Sequence, residues 1–362
     1  MNSLAAILVA ITFVFCTAQP ASAEDATDSW VDRISFKGDL RLRYEGIDED
    51  GEASRNRSRY RARLAMSADV HPDVTVVMEI ASGADDPVSR NVTFDGGFTT
   101  KDIGFDLAYV EWAAADGLKI YGGKMGNPMY KAGGAPLIWD SDLNPEGVAA
   151  KYSKGIFFGT LAGFSVEERS ASDDSLLYAV QVGGKFNVGE NAKLTAGVGY
   201  FGYTNTIGNE PFFNGRSKGN SVDLNGNYLH DYKNTELFGQ LDTRVRNWPL
   251  SIYAQWVWNN EVSEEDTGYA VGAKIGSANS KGQKEISWTY QDIEADAVIG
   301  TFNDSDFGGG GTDSSGHILK GKYAVSKAIF LGATFLINEI DRFQGTEHDY
   351  NRFKLDVEIK FD

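Results

Sequence analysis

The sequence predicts an all-β protein, a transmembrane antiparallel β-barrel of about 16 strands, and three observations lead to this prediction. Apolar and polar residues alternate along segments of about ten residues. Short turns and long loops follow one another regularly between these segments. After the amino-terminal region, no stretch approaches the roughly 18 consecutive apolar residues that a membrane-spanning helix needs.

Residues 1–23 are predicted to form a secretory signal peptide that is removed after export. The apolar run LAAILVAITFVF is too short to cross a bilayer, and Ala21-Ser22-Ala23 follows it as a small-residue cleavage site. Cys16, the single cysteine, lies within this leader, so the mature chain at 24–362 is expected to form no disulfide. We expect the barrel to owe its stability to hydrogen bonding and packing.

The predicted strands run from 33–46 to 349–361, and one of the longest is placed at 227–246. In the last of them, NRFKLDVEIKFD, every second residue from Phe353 to Phe361 is apolar and the residues between them are polar. Sixteen such segments can be counted, an even number, as a bacterial barrel with both ends in the periplasm requires. The short turns are therefore assigned to the periplasmic side and the long loops to the outer side.

The second predicted strand begins with RNRSRYRARL, in which five arginines stand two residues apart. On a strand such residues share one face, and the residues of the opposite face become increasingly apolar along the segment. The net charge of −17 argues against a nucleic-acid partner, since binding phosphates needs a surplus of basic residues. In a lumen wide enough to hold water, these residues would line the pore. The predicted pore-lining basic wall comprises Arg41, Arg43, Arg57, Arg59, Arg61 and Arg63.

A soluble β-sandwich would also alternate, but its polar face would not carry this arginine row beside Arg41 and Arg43 on the neighbouring strand. Aromatic residues near strand ends, such as Trp112, Tyr200 and Trp288, suit the interfacial girdles of a membrane barrel better than a core. We therefore expect the chain to reside in the bacterial outer membrane, in contact with outer-membrane lipid.

Five stretches resemble the bacterial outer-membrane putative porin family, within the class of 16-stranded general porins. They are GDLRLRYE at 38–45, the arginine-rich second strand, LAYVEW at 107–112, YGGKMGNP at 121–128 and LIWDSDLNPEGVAAKY at 137–152. The resemblance implies a homotrimer that lets ions and small hydrophilic solutes diffuse passively, with its third long loop, here 126–146, folded into the pore. Barrels of this kind commonly end in an aromatic residue that the barrel-assembly machinery reads, whereas here Asp362 follows Phe361.

The loop at 126–146 has the residues for a charged constriction. Its glycines and prolines allow the chain to turn inward, and three acidic residues follow, Asp140, Asp142 and Glu146. We hypothesise that these carboxylates face the basic wall and set selectivity through a transverse field. The alternative is that several arginines sit at the barrel mouth and pair with Glu45 and 48–50. A weak divalent-cation site on the three acidic residues also stays open.

Other motifs predict no enzyme, cofactor or metal centre. GVGYFG at 197–202 lies inside a strand, and Pro145 stands where a calcium-binding EF-hand needs glycine. NDSDFGGGGTDSSG at 303–316 is predicted to be a mobile outer loop. Three rival functions remain at this point: a binding channel for anions or oligosaccharides, an outer-membrane hydrolase, and a structural barrel with a plugged lumen.

Overall fold

The computed structural model describes residues 30–83, 85–343 and 345–361, so the predicted signal peptide and Asp362 lie outside the described residues. The chain divides into two compact units, 1–34 and 35–362. In the described part of the first unit, Trp30–Arg33 form one turn of 3-10 helix. In the described part of the chain, no helix has both the length and the apolar character that a membrane span requires.

Sixteen long strands and one two-residue strand in the described residues form a single closed antiparallel sheet. The barrel closes where β17 pairs with β1, from Gly38 opposite Phe361 to Glu49 opposite Tyr350. The strands are β1 (Ile34–Glu49), β2 (Arg55–His71), β3 (Val74–Ser82), β4 (Val92–Thr93), β5 (Ile103–Ala115), β6 (Leu118–Lys124), β7 (Glu146–Lys154), β8 (Phe157–Glu167), β9 (Ser175–Val188), β10 (Ala192–Tyr203), β11 (Lys233–Val245), β12 (Trp248–Asn259), β13 (Thr267–Gly276), β14 (Lys284–Ile293), β15 (Ser314–Ala324), β16 (Ile329–Ile340) and β17 (His348–Phe361). The predicted 16-stranded barrel is confirmed, and β4 is a small addition that pairs with β2.

One predicted strand is too long in the sequence-based assignment. The segment placed at 227–246 enters the sheet only at Lys233, because the residues before it belong to a packed loop. In that loop Tyr228 and Tyr232 are fully buried, and the hydroxyl of Tyr232 donates to Asp296 at 2.6 Å. Alternation alone could not separate this loop from the strand, since buried aromatic residues in the loop continue the two-residue period.

The barrel is apolar outside and charged inside, the reverse of a water-soluble protein. On β1, Leu42 and Tyr44 are each 45% exposed, whereas Arg43 is 6% and Glu45 0% exposed. Leu355 and its apolar neighbours repeat the pattern on β17. Apolar surface turned outward around the whole sheet is unfavourable in water and favourable in lipid, which fits a barrel inserted in a membrane.

The two ends of the barrel differ. At one end the strands are joined mostly by tight turns, for example at 116–117 and 155–156, and we call this the short-turn end. At the other, long-loop end, three long loops pack together, 125–145, 204–232 and 294–313. Their shared apolar cluster includes Leu137, Trp139, Phe212, Tyr228 and Ile299. Aromatic contacts such as that of Trp139 with Phe201, at 4.5 Å between ring centroids, fix the first of these loops against β10.

Candidate functional site

The six predicted wall arginines lie on the paired strands β1 and β2, and we call them the arginine wall: Arg41, Arg43, Arg57, Arg59, Arg61 and Arg63. Barrel closure places β17 on the other side of β1. There Arg43 lies opposite Asp356, and Glu45 lies opposite Lys354. The arginine wall therefore has charged neighbours on the adjacent strands as well as on the loops.

Near the long loops, five cationic side chains share three carboxylates, and we call this group the upper cluster. Its members are Arg43, Arg57, Arg59, Arg352, Lys354, Glu45, Asp306 and Asp356. Glu45 is its most buried carboxylate: it accepts a hydrogen bond from Arg57, and a second from Arg352 Nη2 at 2.9 Å. Arg59 Nη1 lies 3.5 Å from the same carboxylate. The single buried carboxylate of Glu45 is therefore the counter-ion of three guanidinium groups.

Asp306 joins the 294–313 loop to the upper cluster. Its carboxylate lies 3.2 Å from Arg43 Nη1 and 3.0 Å from Arg352 Nη1, and it also accepts a hydrogen bond from Lys354. Burial disfavours its charge, but the nearby cations Lys354, Arg352 and Arg43 hold the pKa of Asp306 well below its usual range. Asp356 completes the group with two hydrogen bonds from Arg43, at 2.8 and 3.0 Å.

Closer to the short-turn end, the wall arginines are held by a second set of carboxylates. Asp39 accepts hydrogen bonds from Arg61 Nη2 and from Arg63 Nε, both at 2.8 Å. Arg61 also lies 3.4 Å from Glu358 and 3.6 Å from Asp142. The last distance is a direct contact between the arginine wall and the loop that was predicted to face it.

Arg41 differs from its neighbours because its guanidinium has no ion pair among the described residues. Its Nη2 donates to the side-chain oxygen of Asn91 at 2.6 Å, and its Nε is buried without a hydrogen-bond partner. Asn91 lies on the 83–102 loop, and its main-chain oxygen also accepts a bond from Arg59 at 2.9 Å. This asparagine is a wall contact that the sequence did not reveal.

The three acidic residues predicted on the constriction loop occupy different places. Asp140 is buried, and its carboxylate accepts the main-chain N–H groups of Asp142 at 2.7 Å and Ser305 at 2.9 Å. Burial, and then the nearby carboxylates, raise the pKa of Asp140 to about 7. Glu146 is the first residue of β7, and its partner is Lys124 Nζ at 2.8 Å. The structure thus brings Asp142 to the wall and gives Glu146 a separate partner.

The segment at 303–316, predicted as a mobile outer loop, is instead packed inside the barrel. Phe307 is fully buried, and Asn303 Nδ2 donates to the main-chain oxygen of Leu137 at 2.7 Å. Asp306 reaches the wall from this segment, a role that the sequence analysis missed. One local feature of the sequence could have indicated this role. In NDSDF, a phenylalanine follows two acidic residues, and burial of its ring would anchor the loop and place the carboxylates inside the barrel.

Gly133 lets the 125–145 loop lie directly on β12. Its φ is +62°, and a Cβ there would come within 2.3 Å of the Tyr253 ring. We expect Gly133→Ala to lower the free energy of unfolding by about 1–3 kcal/mol more than Gly134→Ala, because only the first substitution adds an overpacked contact. Gly134 is a matched control, since its φ is +72° and the space around it is open. Denaturant unfolding in detergent would measure both, and equal losses would contradict the close docking.

Three adjacent cavities follow the arginine wall. Their volumes are 550 Å³ near the long loops, 250 Å³ in the middle and 190 Å³ nearer the short turns, and we call them the upper, middle and lower cavities. Ser305 and Asp306 line both the upper and the middle cavity, and Arg41 and Lys320 line both the middle and the lower cavity. The charged side chains that line the middle cavity are Arg41, Arg43, Arg61, Lys320, Lys354, Asp140, Asp142, Asp304, Asp306 and Asp356.

A closed 16-stranded barrel with charged cavities inside and an apolar surface outside is the architecture of a channel, and two comparisons agree with it. A family model described as "Putative porin" matches residues 47–221 and 215–361. The chain belongs to this family. Membership makes it a channel protein of the bacterial outer membrane rather than an enzyme.

Solved porin structures share the fold of the chain at low sequence identity. OprB of Pseudomonas putida, in a high-pH structure, is 14% identical with a TM-score of 0.62, and the match covers 91% of this chain and 95% of that chain. OmpF of Salmonella typhi, in complex with daunomycin, is 12% identical with a TM-score of 0.56 over 91% and 97% of the two chains. None of the curated proteins compared with the chain matches it.

Metal binding gains no support from the side-chain arrangement. Among residues 30–83, 85–343 and 345–361, no group of three or more histidine, cysteine or acidic side chains is placed to hold a metal ion. Two members of the cation site left open by the sequence, Asp140 and Asp142, lie close together, while Glu146 pairs with Lys124.

Proposed function

We propose that this porin lets ions and small hydrophilic solutes diffuse across the outer membrane along the arginine wall. The observation that carries the proposal is the series of three cavities that share lining residues from the long-loop end toward the short-turn end. Every cavity contains charged side chains that would replace part of the hydration shell of a permeating solute. A plugged structural barrel would show no conductance in a planar bilayer, which separates it from this proposal.

Selectivity in this proposal is set in the middle cavity, which is the constriction. Arg41, Arg43 and Arg61 line it together with carboxylates of the two loops. Opposite charges separated across a narrow passage produce a transverse field, which favours ions and dipolar solutes over apolar ones. The predicted acidic partner of the wall is thereby extended from the 125–145 loop to Asp304 and Asp306 on the 294–313 loop.

We also propose the assembly that the sequence implies. The signal peptide at 1–23 directs export, and the barrel-assembly machinery inserts the chain through its last strand, β17. The apolar band around the barrel supports contact with outer-membrane lipid, and homotrimers are proposed as the working form. Native mass spectrometry of the mature protein in detergent would test both points, because the mass reports cleavage after Ala23 and the number of copies.

Reversal potentials in a KCl gradient across a planar bilayer test the proposed selectivity. We expect Arg41→Ala to shift the permeability ratio toward cations by about threefold, because it removes an unpaired positive charge from the passage. Asp142→Asn should shift it toward anions by about twofold, since Arg61 keeps Asp39 as a partner. Lys281→Ala is the control, because Lys281 is exposed in the turn between β13 and β14. If both variants match this control, the wall does not face the permeating ions.

A further inference from the structure

The upper cavity carries an excess of positive charge. Its volume is 550 Å³, within the range of small-molecule sites. Six cationic side chains line it, Arg55, Arg57, Arg59, Arg216, Lys218 and Arg352, against three carboxylates, Asp85, Asp86 and Asp306. An excess of this kind in a confined space attracts anions and is screened less than charges on an open surface.

The existing carboxylates do not balance this excess. Asp306 is shared among Arg43, Arg352 and Lys354, so it is not free to neutralise the cavity. Glu45 has a fully buried side chain behind the cavity, and this one carboxylate is shared by three of the lining cations, Arg57, Arg59 and Arg352. Six cations line the cavity, and three lining carboxylates together with Glu45 leave two positive charges in excess.

Hydrogen-bond donors are left over as well. The Nε atoms of Arg59 and Arg352 are buried and have no hydrogen-bond partner. Arg55, Arg216 and Lys218 make no side-chain ion pair within the described parts of the chain, although all three line the cavity. Buried donors without partners are unfavourable, and an anion with several oxygen atoms would satisfy them while also pairing with the three exposed cations.

We propose that the upper cavity is a binding site for small solutes that carry a doubly charged oxyanion group, as a phosphate monoester does. The proposal rests on the proposed channel function, since the site lies on the same path. Two missing negative charges favour a dianion over a monoanion, and guanidinium groups match the geometry of phosphate oxygens in pairs. The cavity has room for an organic part beyond the oxyanion, so glucose 6-phosphate is a suitable probe.

Block of the single-channel chloride current tests this site. At pH 8, where a phosphate monoester is doubly charged, glucose 6-phosphate should reduce the current saturably, and glucose at the same concentration should not. Arg216→Gln combined with Lys218→Gln should raise the half-blocking concentration about tenfold, because each lost charged contact weakens binding. Both residues are exposed on the 204–232 loop, and their side chains make no hydrogen bond or ion pair with the described residues. Lys37→Gln, at the other end of the barrel, is the matched control and should bind like the unchanged chain.

The outcomes separate this proposal from the channel itself. A channel that conducts but is blocked equally by glucose and glucose 6-phosphate would overturn the binding site and leave the porin function standing. If the protein does not conduct, the channel proposal fails, and calorimetric titration of the detergent-solubilised protein with glucose 6-phosphate decides about the site alone. Saturable heat that disappears in the Arg216 and Lys218 variant supports the site, and its absence from the unchanged protein overturns it.

Discussion

Replacing Glu45 by glutamine is expected to lower the free energy of unfolding by about 3–5 kcal/mol. The side chain of Glu45 is fully buried and serves Arg57, Arg59 and Arg352. Glutamine has nearly the same shape but no charge, so three guanidinium groups would lose a shared counter-ion in a site with little water. The loss should appear as a lower urea midpoint in detergent, followed by tryptophan fluorescence, and as weaker resistance of the folded band to heating on gels.

Asp48→Asn is the matched control for this measurement. Asp48 lies on the same strand but is exposed, and its hydrogen bond from Ser54 can be kept by the amide oxygen of asparagine. We expect a change within about 0.5 kcal/mol, as for most surface substitutions. Equal midpoints for the two variants would mean that water screens the upper cluster, and the electrostatic account of the wall would then have to be abandoned.

The fold was predictable because one simple constraint acts on every strand. A residue that faces lipid must be apolar and its neighbours face water, so a two-residue period runs through β1 and β17 alike. The same period misplaced the start of β11, where Tyr228 and Tyr232 alternate in a loop. Their burial depends on contacts with the 294–313 loop, including Asp296, which no local pattern contains.

The position of the arginines on one face of a strand was predictable, but their partners were not. Five arginines in RNRSRYRARL must share a strand face, and closure of an even-stranded barrel must bring the last strand beside the first. Which acid meets which arginine depends on register, and a shift of two residues would leave Arg43 opposite a different side chain from Asp356. Loop contacts are harder still, since Asp306 reaches the wall only because Phe307 and Asn303 anchor its loop.

Asp306→Asn should produce the largest change in ion selectivity, a shift of about fivefold in the permeability ratio toward anions. This carboxylate contacts Arg43, Arg352 and Lys354, and it lines both the upper and the middle cavity. Its loss leaves five cations with two carboxylates in the upper cluster. A unit charge about 4 Å from a permeating ion is worth about 1 kcal/mol in water, which corresponds to this factor. The reversal potential in a KCl gradient measures it.

The 294–313 loop should keep its position in Asp306→Asn, so the change in selectivity would result from the lost charge alone. Asn303 still donates to the main-chain oxygen of Leu137, and Ser305 N–H still donates to Asp140. Asp223→Asn supplies the control, because Asp223 stands in a solvent-exposed turn of the 204–232 loop and should leave the ratio unchanged. The shift should shrink as salt is raised, since mobile ions screen the freed cations. A shift that is independent of salt, or one toward cations, would mean that the loop has moved, and Asp306 would then act as an anchor rather than as the balancing charge of the constriction.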